Sequence, residues 1–489
     1  MRLRSILASG LLPFALGAVF AACGDDGGSP ESLDDASPSF RDATLLPPEN
    51  DAASESDTAL RADTSDGGRD AADGKDAAVD APFDALSDAG PDVVDAGPSF
   101  VFKYADVNHV LGTGQSLSVG SQGTPILSLT QPFDNKMFVG GVKPSNANLG
   151  SFVSLVEGPS VETHNSSFAN LVTHLAETVV FVGKPAPMDS HRLLVSIHGI
   201  GGTAYAGLKK GTASFAAGIA QVQAAKTLTT NAAQSYIVRA VTNVHGESDH
   251  VAANANYKQN LVEWQKDYDT DVRAVTGQAE PIPMFHTQVS SWTKYGQATS
   301  LIPMAQLDAS TESGGAIVMV GPKYALSYVA DGVHLTNEGY RHMGEYYAKV
   351  YRYVVLEGKT WEPVRPKSAS ILGDTIVVTF HVPVPPLVLD TTLVSNPGNY
   401  GFEYADSSGA AAPTITQVTV IGPSTVQIKL SAAPTGQSRR LRYAFTGVAG
   451  AKGGATTGPR GNLRDSDATA SRYGYKLYNW AVHYDGALP

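Results

Sequence analysis

Between residues 99 and 358 the chain alternates apolar runs with segments of helical spacing, and its Gly-rich stretches sit at the carboxyl ends of the apolar runs. DVNHVLGTG reads as a strand, and so does RLLVSIHGIGG, which ends in glycines. SYIVRAVTNV is a strand that runs into HGESDH, PIPMFHTQVSSW is another, and AIVMVGPKYAL is a further candidate. Between them, GTASFAAGIAQVQAAKTL, NANYKQNLVEWQKDYDTDVRAVTG and NEGYRHMGEYYAKVYRYVVLEG carry helical spacing, the second stopping at Gly277. Strands alternating with helices predict a parallel sheet with helices on both faces. In such sheets ligands bind beyond the carboxyl ends of the strands, which is where these glycines lie.

The pattern changes on either side of that segment. From about residue 359 the helical signal stops. ASILGDTIVVTFHVPV, YGFEYAD, TITQVTVIG, STVQIKLSAAP and RRLRYAFTGVAG alternate with period two between Pro, Gly and Ser turns, which predicts a small all-β sandwich of immunoglobulin-like type over residues 359–489. That segment ends in a Gly- and aromatic-rich tail whose sequence leaves open whether it folds back on the α/β segment. Residues 24–98 hold 20 Asp and Glu against 4 Lys and Arg, a net of −16. The whole chain carries −12, so the remainder sums to −12 + 16 = +4. Repeated Asp-Ala units with little apolar content predict a disordered acidic tether there. The near-neutral remainder has no basic stripe, which argues against a nucleic-acid partner.

The single cysteine, Cys23, excludes an intramolecular disulfide. It follows two arginines, an apolar run and Ala-Ala, a secretory signal with a small-residue cleavage site. This arrangement resembles a bacterial lipoprotein signal over residues 1–23 whose Cys becomes the lipidated terminus. The expectation is a lipid-anchored protein of the bacterial cell envelope, attached to the membrane through that lipid alone. The apolar run is short and broken by Gly and Pro, which argues against a membrane-spanning helix.

Four strand-end motifs carry the chemistry. GQS places Ser116 directly after the first strand, although a Ser there equally suits a helix cap, and a hydroxyl is a poor nucleophile until a base takes its proton. DGVHLTNEGY places Asp331 three residues before His334, so that the carboxylate can orient the imidazole. SIHGIGGTA and NVHGESDH offer Gly amides and polar side chains for a developing oxyanion. Zinc held by His198, His245 and His250 with Glu247 and Asp249 fits none of the common spacings, so no metal and no cofactor is expected. Glu247 and Asp249 share one short loop and cannot straddle a glycosidic bond, which needs about 5–9 Å between carboxyls on opposite faces. Tyr205, Trp264 and Trp292 read as packing residues rather than sugar platforms.

GQS, the Gly-Gly-Thr turn, HGESD and DGVHL, in this order over residues 105–355, resemble the SGNH (GDSL-like) hydrolase superfamily. The branch most similar is the sialate O-acetylesterase-like and carbohydrate acetylesterase group, which carries GQSN, GGT, QGESD and D-x-x-H. The resemblance implies a three-layer α/β/α sandwich and hydrolysis of acyl esters, often acetyl groups on sugars, with an acylated carbohydrate as the partner. It makes Ser116 the nucleophile, His334 the base and Asp331 its orienter. It assigns the oxyanion hole to the amides of Gly202 and Ser116, and sets Gln115 and Glu247 among the oxyanion and substrate-binding residues. The chain departs from the pattern at His245, where the group has Gln, leaving the ring as a candidate third donor. It departs also at Asn243, where Trp is frequent, and at Leu117, where Asn is usual. Two other readings compete. HGIGG resembles the oxyanion loop of α/β-hydrolases, but no G-x-S-x-G elbow is present. A non-catalytic carbohydrate-binding lipoprotein on an esterase-like shell would not need Ser, His and Asp all in place.

Overall fold

A computed structural model describes residues 100–489. Cys23, the signal segment 1–23 and the acidic segment 24–98 lie outside the described residues. Seven strands make one sheet: β1 (Val107–Gly114), β2 (Lys136–Phe138), β3 (Phe152–Ser154), β4 (Leu193–Ile197), β5 (Tyr236–Val244), β6 (Met284–Gln288) and β7 (Ile317–Pro322), in the order β3-β2-β4-β1-β5-β6-β7. Every neighbouring pair is parallel except β2 with β3. β4 and β5 are buried at every position, as expected of strands covered on both faces.

The covering helices are α1 (Asn165–Leu175), α2 (Ala213–Asn231), α3 (Glu247–Val251), α4 (Tyr257–Thr276), α5 (Ile302–Glu312) and α6 (Asn337–Tyr351). Successive strand residues point to opposite faces, so Val110 of β1 enters one apolar core and Leu111 the other. The first core packs Phe168, Leu171 and Val172 of α1 with Met343, Tyr347 and Tyr351 of α6. The second packs Val222 of α2 with Leu261, Trp264 and Tyr268 of α4 and Ile302 of α5. The result is three layers, helix–sheet–helix. Helix ends follow local chemistry. Gly277 ends α4 at φ 74°, and Thr336 caps α6 by accepting the Gly339 N–H at 3.0 Å. β1 is flanked by β4 on one side and β5 on the other, so the strand order reverses beside it, the point at which sheets of this class bind ligands beyond the strand ends.

The remaining strands are antiparallel: β8 (Arg365–Leu372), β9 (Thr375–His381), β10 (Val388–Leu389), β11 (Phe402–Ala405), β12 (Ile415–Gly422), β13 (Thr425–Leu430), β14 (Arg440–Tyr443), β15 (Leu463–Arg464) and β16 (Tyr484–Ala487). The segment ASILGDTIVVTFHVPV is a hairpin of β8 and β9, turning at Gly373. A four-stranded sheet, β12-β13-β9-β8, and a three-stranded sheet, β11-β14-β16, share one core in which Ile376, Val378, Ile428 and Phe402 meet Leu441 and Tyr443. Tyr324, from the loop after β7, enters that same core and donates to the Ala481 carbonyl at 2.7 Å. The tail folds back on α6. Glu345 of α6 accepts the Arg472 N–H at 2.8 Å, and fully buried Lys349 lies 3.0 Å from Asp467. All of these residues belong to one compact unit.

Burial holds His109, His198, His286 and His483 down to about 3 and His164 to about 4, so these rings stay neutral in the folded protein. In the unfolded chain they titrate near 6.5. Below that pH the unfolded state binds more protons, so stability is complete above about pH 6.5 and falls as the pH drops toward the folded values. Each ring contributes up to about 1.4 kcal/mol per pH unit in that window. Urea midpoints measured at pH 7.5, 6 and 5 are expected to decline steadily; a midpoint that stays flat to pH 5 contradicts this assignment.

Candidate active site

Gly114 ends β1 at φ 125°, and a Cβ there would lie 2.3 Å from the Val244 carbonyl oxygen at the end of β5. Only glycine lets the two strand ends approach this closely. Gln115 N–H then donates to that Val244 carbonyl at 3.1 Å, and the following turn carries Ser116 out of the sheet. Gly199, after β4, is packed in the same way: a Cβ would sit 2.2 Å from Ser118 Oγ. The loops after β1, β4 and β5 therefore converge at one edge.

The fourth loop comes from far along the chain. His334 Nε2 is 2.7 Å from Ser116 Oγ, and His334 Nδ1 is 2.6 Å from Asp331 Oδ2. With the ring proton on Nδ1 facing the carboxylate, Nε2 accepts from the serine hydroxyl. Asp331 Oδ1 accepts the Val333 and His334 amides at 2.8 and 2.9 Å. Partial burial acts to raise the Asp331 pKa, but the hydrogen bonds from the His334 ring and from those two amides outweigh it and hold the carboxyl below its ordinary value. The His334 side chain is 19% exposed and that of Asp331 31%, so both keep contact with solvent.

Gly201 faces Ser116: a Cβ on it would be 3.6 Å from Ser116 Cβ. The Gly202 N–H belongs to the next peptide, and Gly202 turns the chain at φ 67°. Among the described residues, the amides of Ser116, Gly201 and Gly202 donate no hydrogen bond.

Three expected site residues are placed elsewhere. His245 is buried, and its Nε2–H donates to the Thr203 carbonyl at 3.1 Å while Nδ1 accepts from Tyr257 Oη at 2.8 Å. Both ring nitrogens are occupied, so the ring supplies no third oxyanion donor. Gln115 is buried too, and its Oε1 accepts the Ser248 N–H at 3.1 Å, tying the loops after β1 and β5 together. Glu247 is fully buried, 3.1 Å from the equally buried Lys323 Nζ. Gln115 Oε1 and Glu247 are thus engaged within the protein, in holding the loops after β1, β5 and β7. Asp249 also works locally, accepting the Tyr205 N–H at 2.8 Å. The three histidines weighed for zinc each face a different hydroxyl: Tyr268 for His198, Tyr257 for His245 and Ser300 for His250. Tyr205, Trp264 and Trp292 are buried in the second core.

Sequence reading missed three supports. Lys323 is one, with no local motif to mark it. Gln122 is the second, its Nε2 donating to Asp331 Oδ2 at 2.9 Å across 209 positions. The third is a strap of residues 447–454 from the β segment. Gly453 N–H donates to the Gly332 carbonyl at 2.9 Å, Gly450 N–H to the Thr293 carbonyl at 2.7 Å, and the Lys452 stem lies over Gly332, where a Cβ would come within 2.4 Å. A cavity of about 540 Å³ lies at the opposite, amino-terminal end of the strands, lined by Phe102, Arg239, Ile282 and Val354 among others, away from Ser116.

The chain matches no protein-family model and no curated protein. Among solved structures it is similar to a carbohydrate acetylesterase from Xanthomonas citri, at TM-score 0.48 and 16% identity over 77% of this chain and 80% of that one. A carbohydrate acetylesterase from Sinorhizobium meliloti is similar at TM-score 0.26 and 13% identity, over 50% and 97% of the two chains. The aryl esterase of M. smegmatis is similar at TM-score 0.28 and 9% identity, over 50% and 98%.

The surroundings of His245 generate a test. His245→Gln leaves a buried Tyr257 hydroxyl or Thr203 carbonyl without a partner, and the expected loss is about 1–3 kcal/mol of stability. Turnover should stay within about tenfold, because an oxyanion donor is worth about 10²–10³ in kcat. Denaturation together with ester hydrolysis by the variant checks both; a 10³-fold fall in kcat at unchanged stability would return the ring to the oxyanion hole.

Proposed function

We propose that this chain is a serine esterase that removes acyl groups, acetyl above all, from carbohydrate esters by a Ser-His-Asp acyl-enzyme mechanism. The observation that carries the reading is the unbroken chain of short contacts from Asp331 through His334 to a partly exposed Ser116. The acetylated-carbohydrate substrate rests on the sequence resemblance of the four strand-end motifs. A site in contact with solvent suits an acyl group presented on a large carrier.

In the proposed reaction Ser116 Oγ attacks the ester carbonyl carbon while His334 Nε2 takes its proton. Asp331 keeps the ring in the tautomer that leaves Nε2 free, and stabilises the imidazolium that forms. The amides of Ser116 and Gly202 receive the oxyanion, with the Gly201 amide beside them. The imidazolium returns its proton to the leaving alcohol. Water, deprotonated by His334, then attacks the acyl-enzyme carbonyl; the acyl bond to Ser116 Oγ breaks, the imidazolium returns its proton to that oxygen, and the carboxylic acid leaves. Each step uses side chains and amides of this chain.

The segments outside the described residues complete the reading. A lipid on Cys23 would anchor the protein in the bacterial envelope, and the acidic segment 24–98 would hold the catalytic part away from the membrane. We read the antiparallel sheets of residues 359–489 as an immunoglobulin-like sandwich that braces the α/β domain of residues 99–358, since its strap grips the catalytic turn.

Acetate release by residues 99–489 from 4-nitrophenyl acetate and from a panel of acetylated polysaccharides tests the proposal. Ser116→Ala and His334→Ala are expected to abolish release without changing the fold. Asp331→Asn should lower kcat by up to about 10⁴ where the carboxylate holds the tautomer. Equal turnover by the Ser116 variant would remove the serine as nucleophile, and release from 4-nitrophenyl acetate but from no polysaccharide would leave the esterase and overturn the carbohydrate.

A further inference from the structure

Gln122 sits in a backbone conformation that its side chain does not favour, with φ at 66°. Few residues other than glycine adopt positive φ, and Asn and Asp supply most of the exceptions. Such positions persist where the surrounding structure over-determines them, and they cluster at functional sites. The surroundings here do so. The Gly123 carbonyl accepts the Glu162 N–H at 2.7 Å, and a Cβ on Gly120 would meet the Glu162 carbonyl oxygen at 2.3 Å, so the loop is clamped on both sides of Gln122. Three ties then run from this loop to the catalytic turn and the helix after it. The Tyr340 hydroxyl donates to the Ser121 carbonyl at 2.8 Å, Gln122 Nε2 to Asp331 Oδ2 at 2.9 Å, and Asn337 Nδ2 to the Pro125 carbonyl at 2.7 Å.

We propose that Gln122 is a positioning residue of the Ser-His-Asp site, holding through its amide the carboxylate oxygen on which His334 depends. The proposal rests on the esterase reading above. Asp331 Oδ1 is fixed by the Val333 and His334 amides, and Oδ2 serves the His334 ring alone unless Gln122 is present. With the Gln122 amide in place the carboxylate accepts four hydrogen bonds, which sets both its plane and its distance from the ring. The amide also draws charge from Oδ2, and its nitrogen lies 3.4 Å from His334 Nδ1 as a second donor facing the ring. Gln122 thereby fixes the carboxylate oxygen that the His334 ring faces. The other charged or titratable groups near the turn, among the described residues, include Lys452 over Gly332, the Glu247–Lys323 pair, and the Tyr295, Tyr328 and Tyr340 hydroxyls.

The test uses the full chain with 4-nitrophenyl acetate, comparing Gln122→Gly and Gln122→Glu with the parent and with Ser116→Ala. Gln122→Gly relieves the backbone and removes the amide. The expected result is a fall in kcat of about tenfold, equivalent to one weakened hydrogen bond to a charged group, with KM and thermal midpoint little changed. Gln122→Glu places a second carboxylate beside the ring and favours its charged form. The acid limb of kcat/KM against pH should then move upward by about half a unit or more. A residue that only shaped the loop would make the glycine variant neutral or better and leave the acid limb in place; that pair of results overturns the proposal. Hydrolysis that is unaffected by Ser116→Ala would overturn the esterase reading itself, whereas serine-dependent hydrolysis with unchanged Gln122 variants overturns only the role of Gln122.

Discussion

The approach of β1 to the end of β5 at Gly114 is the contact on which the site depends. With the Val244 carbonyl where a Cβ would stand, the strand ends close together and the Gln115 amide caps the contact. Ser116 leaves the sheet where the order of strands reverses, between the loops after β4 and β5. The Gly201 backbone can then lie against Ser116, and the Ser248 amide can be held by Gln115. A side chain at position 114 would push the first loop off the sheet and separate the serine from the amides beside it.

The turn of residues 331–334 is supported from several directions that are remote in the chain. Gln122 holds it from the loop after β1, the strap of residues 447–454 lies over it, and α6 continues directly from it. Because α6 packs against the sheet on one face and the C-terminal tail on another, the β segment and the tail become part of the framework that holds this turn. Tyr324 seated in the β core has the same effect on the loop that leads into the turn.

Two buried lysines fix this framework, one beneath the site and one against the tail. Lys323 pairs with Glu247 under the site, and Lys349 of α6 meets Asp467 of the tail. Buried ion pairs give little net stability, because desolvation offsets the attraction, but losing one partner strands a charge and is strongly destabilising. They therefore penalise alternative packings more than they reward the native one. Lys349 makes the tail's position on α6 hard to replace by any other apolar packing.

Much of this architecture is legible in the sequence because it is locally encoded. The mostly apolar runs of β4 and β5, the stop of α4 at Gly277 and the glycines at strand ends are short-range signals with short-range causes. So is the three-residue spacing that brings Asp331 to the His334 ring within one turn. Strands of three residues, such as β2 and β3, carry no period long enough to read, and α1 lies in a stretch without the Ala richness or charge pattern that marked the other helices. His245 looked like a donor because its place in the motif is local, yet its availability depends on Tyr257 and Thr203, which only packing brings to it. The sequence by itself determined the layered α/β class, the period-two segment that follows, and the residue types able to perform acyl transfer. Tertiary structure alone decided which polar groups are left free to act. A side chain's chemistry is set by its covalent structure, but its freedom to donate or accept is set by the partners that folding places within 3 Å.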